Sequence, residues 1–500
     1  MMPAHQETCD AVLSDLFGDD APAGAGERVA TGLAADSRRV TPGGLFLACA
    51  GDRSHGLDHL PEALRRGAGF VAWEPVEGRS APDVAGAAIC FPVPGLRQRA
   101  GGIAGRFFGE PSRSLDVVGL TGTNGKTTCT HLIAGALEAA GCPAGLIGTL
   151  GAGRVEALQD LGFTTPDAVE VHRALAGIRD EGGQAVAMEV SSHALDQARV
   201  AGVRFRLAAF TNLSRDHLDY HGTLERYAAA KLGLFQMPEL GGAVVNGDDP
   251  LSERLLGSLP ASVPSIVVGR EAAGRGDRQL VTSTVASGPA GLTIEFSGSW
   301  GPLRLQSPLW GLFNAENLAV ALAALLALET DPDDALAALG EMHAPAGRME
   351  VFSSAGAGPR VVVDYAHTPD ALAKALEALR AHCHGRLWCV FGCGGERDAG
   401  KRPEMGAVAE RLADAVIVTD DNPRGEDGDA IVADVLAGMS TTPGLKRDRR
   451  GAIELAVSGA AAGDVVLVAG KGHEDYQLIG DERRDFSDRE IVRDLLGAGS

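Results

Sequence analysis

The sequence predicts an α/β protein in which mainly parallel strands are layered with helices. The first observation is that short runs of Val, Ile and Leu alternate with Ala- and Leu-rich stretches of helical character. The second is the composition: there are 67 glycines, whereas aromatic residues make up only 5% of the 500 residues. No fixed-period repeat occurs, and the Gly/Pro-rich pieces have the character of turns. A chain of this length should form about three domains, each with its own core.

The composition also excludes several classes of function. The chain has 45 Lys and Arg against 66 Asp and Glu, a net charge of −21, so non-specific binding to nucleic acid or an anionic membrane is not expected. The eight cysteines form no CxxC pair, which argues against a zinc ribbon or a disulfide framework and favours a reducing compartment. The N-terminal segment lacks the apolar core of a signal peptide, and the longest apolar stretch, Leu318 to Leu328, is too short to span a bilayer. A cytoplasmic protein is therefore predicted.

Three segments are predicted as domains: residues 1–111, 112–343 and 344–500. The first contains a strand, a helix and a strand in that order, TPGGLFLACAG, LPEALRRGA and GFVAW. Its boundary is placed at Pro111, because this proline and its polar neighbours break the helix that ends at Phe108. The second segment opens with the strand LDVVGL and closes after an Ala/Leu helix predicted over residues 317–328.

The third segment has the pattern of a doubly wound sheet. Its strands are predicted in PRVVVDYA, RLWCVFG, DAVIVTD and DVVLVAG, each followed by a loop and a helical stretch. Ligands of such sheets bind at the carboxyl ends of the strands. The polar segments DYAHTPD, GCGGERDAGKRP, DDNPRGED and GKGHEDYQ each follow one of these strands. We therefore expect them to line one cleft.

The strongest single signal is LDVVGL-TGTNGKTT-CTHLIAGALEAAG, a buried strand that leads through a Gly-rich turn into a helix. Phosphate oxygens need close backbone N–H groups, which Gly122 and Gly125 permit, together with the positive end of a helix. Lys126 supplies a positive charge, and the hydroxyl of Thr127 can bind Mg²⁺. The usual spacing fails because Leu120 stands where the first glycine is expected, so a tight turn with an incidental lysine is the alternative.

Two further segments carry candidate metal or acid–base groups. Glu189 interrupts the apolar run 185–190, and a buried carboxylate is costly unless it is paired or binds a metal. Beside a phosphate loop it is a candidate Mg²⁺ ligand, although a strand-end glutamate alone is more often solvated. The strand LAAF leads to a predicted loop with acidic residues and histidines, namely Asp216, His217, Asp219 and His221. Lys231 lies in an apolar helix, where the residues alone favour an ammonium group that reaches water.

Taken in order, these and other motifs resemble the Mur ligase family. They are TGTNGKTT, MEVSSHAL, TNLSRDHLDYH with AAAK, GLFNAENLAVALAA, AGRME, DYAHTPD, GCGGERDAGKRP, DDNPR and GKGHEDYQ. The resemblance extends from about Asp36 to Gln477. It implies an N-terminal UDP-binding α/β domain, a central P-loop ATPase domain with a mostly parallel sheet and a C-terminal Rossmann-like domain. It also implies an ATP-dependent ligase of peptidoglycan precursor synthesis that activates a carboxylate as an acyl phosphate.

The resemblance implies a role for each matching residue around ATP. The nucleotide contacts are Gly122, Thr123, Asn124, Gly125, Lys126, Thr127, Thr128, Asn317, Arg348, Asp364 and His367. Lys126, Glu189, His217 and Lys231 are the expected catalytic group. Thr127 and Glu189 would hold a first Mg²⁺ and His217 a second, while Lys231 matches a lysine that is carbamylated by CO₂.

The resemblance also divides the substrate contacts into two groups. UDP-N-acetylmuramoyl-L-alanyl-D-glutamate is expected at Ser37, Thr164, Thr165, Ser191, Gln197 and Arg199. The added amino acid is expected at Arg397, Asp421, Asn422, Arg424, Gly470 and Glu474. Arg424 matches ligases that add meso-diaminopimelate rather than lysine, because its guanidinium can bind the distal carboxylate with two hydrogen bonds. Glu474 would take the distal amine and Arg397 the carboxylate at the reacting end.

The sequence departs from the family pattern in two places, and alternatives stay open. The turn 344–348 reads APAGR instead of proline-glycine-arginine, and SHGLDHL replaces an aspartate-glycine-histidine form. A lysine-adding ligase and a folylpolyglutamate synthase would share the fold, but the second has no need of DDNPR with GKGHE. A non-enzymatic scaffold would be expected to lose the phosphate and metal positions, which are all present. A monomer without nucleic-acid or membrane partners is expected.

Overall fold

The computed structural model describes residues 10–51, 54–84, 86–271, 276–288, 290–354 and 358–497. The chain divides into two compact units, and each is described by itself. Unit 1 comprises Met1–Gln279 with Val320–Asp331, and unit 2 comprises Leu280–Ala319 with Pro332–Ser500. The predicted boundaries near residues 111 and 343 stay predictions. Within the described residues, no helix combines the length and the apolar character that crossing a membrane requires.

The first part of unit 1 contains a parallel sheet in the order β3-β4-β5-β6 and a short antiparallel pair, β1 and β2. The strands are β1 (Ala11–Val12), β2 (Val29–Ala30), β3 (Leu33–Ala34), β4 (Leu45–Ala48), β5 (Phe70–Trp73) and β6 (Ile89–Pro92). The helices are α1 (Leu13–Phe17), α2 (Leu60–Arg65) and α3 (Leu96–Phe107). The predicted strand–helix–strand order of β4, α2 and β5 is confirmed. These strands form because β4 and β5 are apolar along their whole length and are buried on both faces.

The second part of unit 1 is a larger sheet in the order β13-β12-β11-β7-β10-β8-β9, in which only the edge strand β9 is antiparallel. The strands are β7 (Asp116–Thr121), β8 (Ala144–Gly148), β9 (Gly151–Arg154), β10 (Ala185–Glu189), β11 (Leu207–Phe210), β12 (Ala243–Asn246) and β13 (Ser265–Gly269). The helices are α4 (Lys126–Ala139), α5 (Ala168–Asp180), α6 (Ser192–Asp196), α7 (Leu218–His221), α8 (Leu224–Leu232) and α9 (Leu251–Ser258). Because β10, β7 and β11 are parallel neighbours, their carboxyl ends place Glu189, Thr121 and Phe210 at one edge.

Unit 2 contains three consecutive antiparallel strands, β14 to β16, a six-stranded sheet in the order β17-β18-β22-β19-β20-β21 and the hairpin β23–β24. The strands are β14 (Arg278–Gly288), β15 (Gly291–Gly298), β16 (Leu303–Ser307), β17 (Glu350–Ser353), β18 (Arg360–Asp364), β19 (Leu387–Phe391), β20 (Ala415–Val418), β21 (Gly444–Leu445), β22 (Val465–Ala469), β23 (Tyr476–Ile479) and β24 (Glu482–Asp485). Helix α10 (Phe313–Ala327) is divided between the two units after Ala319. The other helices are α11 (Pro332–Glu341), α12 (Pro369–Arg380), α13 (Lys401–Leu412), α14 (Gly428–Leu436), α15 (Arg449–Gly459) and α16 (Asp488–Leu496). Apolar clusters cover both faces of the six-stranded sheet, as expected for a doubly wound fold.

The predicted α/β class with mainly parallel strands is confirmed by these sheets, while three local expectations need correction. The helix predicted over residues 317–328 is α10, which begins earlier, at Phe313. Its first turn is stabilised by the side chain of Asn314, whose Nδ2 donates to the carbonyl of Trp310 at 2.7 Å. Asp219 and His221 lie on the short helix α7 rather than in a loop. After β22 the chain forms the hairpin β23–β24 before it enters a helix.

Candidate active site

The predicted phosphate loop connects β7 to α4, the 14-residue helix that begins at Lys126. Gly122 and Gly125 have φ values of +155° and +85°, which L-residues with side chains rarely adopt. A side chain at Gly122 would also collide with the hydroxyl of Thr211. Glycine is therefore required here for both conformation and space. The loop ends at the positive end of a helix, as an anion site requires.

Lys126 lies folded over this loop. Its Nζ donates to the carbonyls of Gly122 at 2.9 Å and Thr123 at 3.0 Å. The two residues that follow β11 stabilise the same loop. The Thr211 hydroxyl donates to the Asn124 carbonyl at 2.6 Å, and Asn212 Oδ1 accepts from the Asn124 N–H at 3.0 Å. Sequence reasoning missed Thr211 and Asn212 as supports, although they are the first two residues of the quoted segment TNLSRDHLDYH.

Glu189, the last residue of β10, is buried with 1% of its surface exposed, so the alternative of a solvated strand end is wrong. One oxygen accepts from the Thr127 hydroxyl at 3.0 Å, and the other accepts from the Thr149 N–H at 2.8 Å. Thr149 was not singled out from the sequence. The hydroxyl and carboxylate of this pair are hard oxygen donors, which is the ligand type that Mg²⁺ prefers. The residues present therefore fit a Mg²⁺ ion beside the loop. Thr128 lies buried one position further along α4.

Lys231 lies on α8 and is 2% exposed, so the interpretation of an ammonium group that reaches water is wrong. Its Nζ donates to the Gly122 carbonyl at 2.7 Å and lies 4.3 Å from the ring centroid of Tyr227. Burial lowers the pKa of Lys231 well below its usual value; the positive charge of Lys126 lowers it further, and Asp216 opposes this. The environment therefore favours an uncharged amine in direct contact with the phosphate loop.

His217 lies at the start of α7 with φ +52°, and its exposed ring is part of an aromatic cluster. The ring centroids of His193 and Tyr227 lie 4.9 Å and 6.1 Å from that of His217, and His221 lies 5.5 Å from His193. Burial lowers the pKa of both His193 and His221, which favours neutral rings. The described part of the chain holds no group of three or more His, Cys, Asp or Glu arranged for a metal ion. The assignment of His217 to a second metal stays a prediction.

Most residues predicted for the UDP-sugar peptide form one hydrogen-bonded group. Arg199 Nη1 donates to the Thr165 carbonyl at 2.8 Å, and its Nη2 donates to Gln197 Oε1 at 2.7 Å. Thr165 in turn accepts from the N–H of Ser191 at 3.1 Å. The hydroxyl of Thr164 lies 3.0 Å from that of Thr149, which also contacts Glu189. This group therefore joins the predicted metal site.

Ser37 lies apart from that group, in the first part of unit 1. It is 5% exposed, and its hydroxyl donates to Glu62 Oε2 at 2.8 Å. The described residues thus give Ser37 a structural partner, and its predicted contact with the UDP-sugar peptide stays a prediction.

In unit 2, three of the predicted nucleotide contacts meet around Tyr365. The guanidinium of Arg348 lies 4.6 Å from the Tyr365 ring centroid, and His367 Nδ1 lies 2.8 Å from the Tyr365 carbonyl. Asp364 accepts from the N–H groups of Met349 and Ala366 at 2.8 and 2.9 Å. Desolvation raises the pKa of Asp364, and the Arg348 guanidinium opposes this rise. The fourth predicted contact, Asn317, is buried elsewhere in the unit and donates to Asn314 Oδ1 at 2.8 Å.

The carboxyl ends of β20 and β22 bring together most of the residues predicted for the added amino acid. Asn422 Nδ2 donates to Glu474 Oε2 at 3.0 Å. Gly470 has φ +119°, and a side chain there would come within 3.0 Å of Asp421 Oδ2. Arg424 Nη1 donates to the carbonyls of Gly395 at 2.9 Å and Asn422 at 3.4 Å. Arg397 is exposed on the loop after β19.

Residues with left-handed backbone conformations are concentrated at these positions. Among the described residues, eight non-glycine residues have a positive φ. Five of them are predicted site residues or are adjacent to one in the sequence, namely Ala198, His217, Met349, Glu396 and Arg424. Such conformations persist only where surrounding contacts enforce them, and they cluster at functional sites. They were not visible in the sequence, because none of these residues is a glycine.

These features together define a phosphate-binding α/β enzyme. A glycine loop leads into a helix whose first turn carries a lysine and a threonine, and a buried glutamate lies at the end of the neighbouring strand. The chain belongs to the Mur ligase family. The family model described as Mur ligase middle domain matches residues 120–325, and that described as Mur ligase, glutamate ligase domain matches residues 347–472. The resemblance seen in the sequence motifs is thereby confirmed, as is the prediction that the protein is a ligase.

Curated relatives and solved structures agree with this membership. A UDP-N-acetylmuramoyl-L-alanyl-D-glutamate–2,6-diaminopimelate ligase of Xanthomonas campestris is 48% identical over 93% of this chain and 94% of its own length. The solved structure of a ligase with the same name has a TM-score of 0.72 at 35% identity and covers 98% of this chain and 99% of its own. A Mycobacterium tuberculosis folylpolyglutamate synthase solved with ADP and AMPPCP has a TM-score of 0.62 at 19% identity, over 80% and 96% of the two chains. The last likeness shows a common fold only.

Proposed function

We propose that this protein is the ligase that joins meso-diaminopimelate to UDP-N-acetylmuramoyl-L-alanyl-D-glutamate with ATP. The observation that carries the choice of acceptor is the guanidinium of Arg424. Its Nη1 is held by the carbonyls of Gly395 and Asn422, whereas Nε and Nη2 form no hydrogen bond with the described residues. That free edge matches the distal carboxylate of diaminopimelate in a bidentate pair. The 48% identity with curated diaminopimelate ligases supports the same acceptor.

The chemistry requires activation because a carboxylate does not react with an amine under mild conditions. In the proposed reaction a carboxylate oxygen of the UDP-linked substrate attacks the γ-phosphorus of ATP, and ADP leaves. The amine of diaminopimelate then attacks the acyl phosphate, a proton is lost from nitrogen, and inorganic phosphate leaves as the amide forms. Lys126 and the loop amides would stabilise the transferring phosphoryl group, since this step depends on positioning and charge neutralisation.

Magnesium is proposed at Thr127 and Glu189, whose hydroxyl and carboxylate lie 3.0 Å apart at the loop. A bound Mg²⁺ would neutralise the charge of the phosphate oxygens. The hydrogen bonds from Thr149 hold the Glu189 carboxylate in place, so this carboxylate would not have to reorganise when Mg²⁺ binds. His217, exposed at the start of α7, is proposed as a ligand of a second ion. The cytoplasmic location and the monomeric state stay predictions.

Lys231 is proposed as a carbamylated residue. An uncharged amine can attack CO₂, forming an N–C bond and releasing a proton, and burial favours the uncharged form of Lys231. We expect ¹³C NMR of the protein equilibrated with ¹³C-bicarbonate to show a carbamate signal that is absent from Lys231→Met. Lys374→Met is a matched control, because Lys374 is exposed on α12 and pairs with Asp370. A carbamate signal that survives in Lys231→Met would contradict the assignment.

The acceptor is tested by measuring phosphate release from the intact protein with the UDP-linked substrate, ATP and magnesium. We expect kcat/KM for meso-diaminopimelate to exceed that for L-lysine by roughly 10⁴-fold, because lysine leaves the Arg424 guanidinium unpaired. Removal of magnesium with EDTA should stop the reaction, and added magnesium should restore it. Equal turnover of the two amino acids would contradict the proposed specificity for meso-diaminopimelate over L-lysine. ATP hydrolysis that depends on a folate would instead support the folylpolyglutamate synthase alternative.

A further inference from the structure

We propose that Lys471 is a positioning residue of the amino-acid pocket, a role that rests on the function proposed above. Lys471 is the second residue after the end of β22 and is fully buried, with 0% of its surface exposed. Its Nζ contacts three residues predicted to bind the added amino acid, namely Asp421, Asn422 and Glu474. Sequence reasoning quoted the motif GKGHEDYQ but assigned roles only to its first glycine and its glutamate.

The ammonium group of Lys471 has no donor left for a ligand. A lysine offers three N–H donors. In this structure they reach Asn422 Oδ1 at 2.9 Å, Glu474 Oε2 at 3.3 Å and Asp421 Oδ1 at 3.4 Å. All three donors of the Lys471 ammonium group are thus used in hydrogen bonds with the protein. Lys471 therefore acts on the substrate only through the residues that it holds.

The first consequence concerns the side-chain amide of Asn422. Its Oδ1 accepts from Lys471 Nζ and from the N–H of Leu478 at 3.0 Å, and both of these groups are donors only. The oxygen must therefore face Lys471, and the Nδ2 group must face Glu474, to which it donates at 3.0 Å. Without the lysine the amide would lose one of the two donors that set its orientation.

The second consequence concerns the Glu474 carboxylate. Its Oε2 is held by both Lys471 and Asn422, whereas Oε1 accepts no hydrogen bond from the described residues. One oxygen is thus fixed, and the other is left to accept from the distal ammonium of the ligand. Glu474 binds the substrate in this arrangement, and Lys471 determines where the binding oxygen points.

The charges around Lys471 support an ammonium-binding pocket. The neighbouring guanidinium of Arg449 is fully buried, pairs with Asp488 at 2.6 Å and donates to the carbonyls of Asp420 and Ala469, so its charge is already matched. The Lys471 ammonium then faces two carboxylates, those of Asp421 and Glu474. One negative charge remains uncompensated among these three groups. A cationic ligand group, such as the distal ammonium of the added amino acid, neutralises it.

The test replaces Lys471 with methionine, which keeps most of the apolar stem and removes the charge. We expect KM for meso-diaminopimelate to rise by roughly tenfold to a hundredfold, because Glu474 and Asn422 lose their shared donor. KM for ATP should stay within about twofold, since within the described part of the chain the Lys471 ammonium hydrogen-bonds to none of the predicted nucleotide residues. Lys374→Met, the same chemical change at an exposed position of unit 2, should leave both KM values unchanged.

The possible outcomes separate this inference from the proposed function. If the unmodified protein does not use diaminopimelate, the proposed function fails. If it does and folded Lys471→Met keeps its KM, only the role of Lys471 is overturned. Should Lys471→Met not fold, the double variant Lys471→Met/Asp421→Asn is expected to fold, because it removes one of the two uncompensated carboxylates, and its KM for diaminopimelate should exceed that of Asp421→Asn alone. A double variant that does not fold, or whose KM equals that of Asp421→Asn, would contradict the proposed role of Lys471.

Discussion

Replacing Lys126 with alanine is expected to lower kcat for ligation by roughly 10²- to 10³-fold. The Nζ of Lys126 lies over the phosphate loop, within 3.0 Å of the carbonyls of Gly122 and Thr123. No other described lysine side chain hydrogen-bonds to the loop except Lys231, whose pKa is lowered by burial. Alanine therefore removes the charge available to stabilise a transferring phosphoryl group.

The measurement is phosphate release by intact Lys126→Ala at saturating ATP, with binding of a non-hydrolysable ATP analogue measured in parallel. The fold should survive, because Lys126 is only partly buried and its hydrogen bonds to Gly122 and Thr123 stay within the loop itself. We expect the free energy of unfolding to change by about 1 kcal/mol. Lys374→Ala is the matched control, since this lysine forms only a surface pair with Asp370. Activity within threefold of the unmodified protein would remove Lys126 from the proposed mechanism.

The parts that sequence reasoning predicted well are those whose conformation is encoded locally. The phosphate loop is one example, because Gly122 and Gly125 are needed for their own φ values and Lys126 begins the helix that follows. The four strands of the doubly wound sheet are another, since β18, β19, β20 and β22 are apolar runs bounded by polar loops. In both cases residues close together in the sequence are sufficient to predict the local structure.

The parts that were wrong or missed depend on contacts between distant segments. Lys231 was expected to reach water, yet packing of α8 against the phosphate loop buries it, and the loop is more than a hundred residues away in the sequence. Thr149 was missed because its bond to Glu189 joins β8 and β10 across the sheet. Lys471 was missed because its partners Asp421 and Asn422 follow another strand. Propensity and spacing contain no information about these pairings.

Replacing Arg424 with alanine is expected to lower kcat/KM for meso-diaminopimelate by roughly 10²- to 10⁴-fold. Two hydrogen bonds anchor the Arg424 backbone to the β23 region: its N–H donates to the Leu478 carbonyl at 3.0 Å, and its carbonyl accepts from the Gly480 N–H at 2.7 Å. The left-handed φ of +53° is thus held by the backbone. Alanine retains a Cβ at this φ, so the change removes the guanidinium without changing the demand on the backbone.

The decisive comparison is between the effect of Arg424→Ala on kcat/KM for meso-diaminopimelate and its effect on KM for ATP. KM for ATP should stay within about twofold in Arg424→Ala, because the hydrogen bonds of Arg424 among the described residues go to Gly395, Asn422 and the hairpin backbone, not to a predicted nucleotide contact. Arg424→Lys keeps the charge but not the planar pair of donors, so it should recover only part of the loss. Arg484→Ala, an exposed arginine paired with Glu482, is the matched control. Equal losses for diaminopimelate and ATP would instead mean that Arg424 maintains the loop, and the preference over lysine would then need another source.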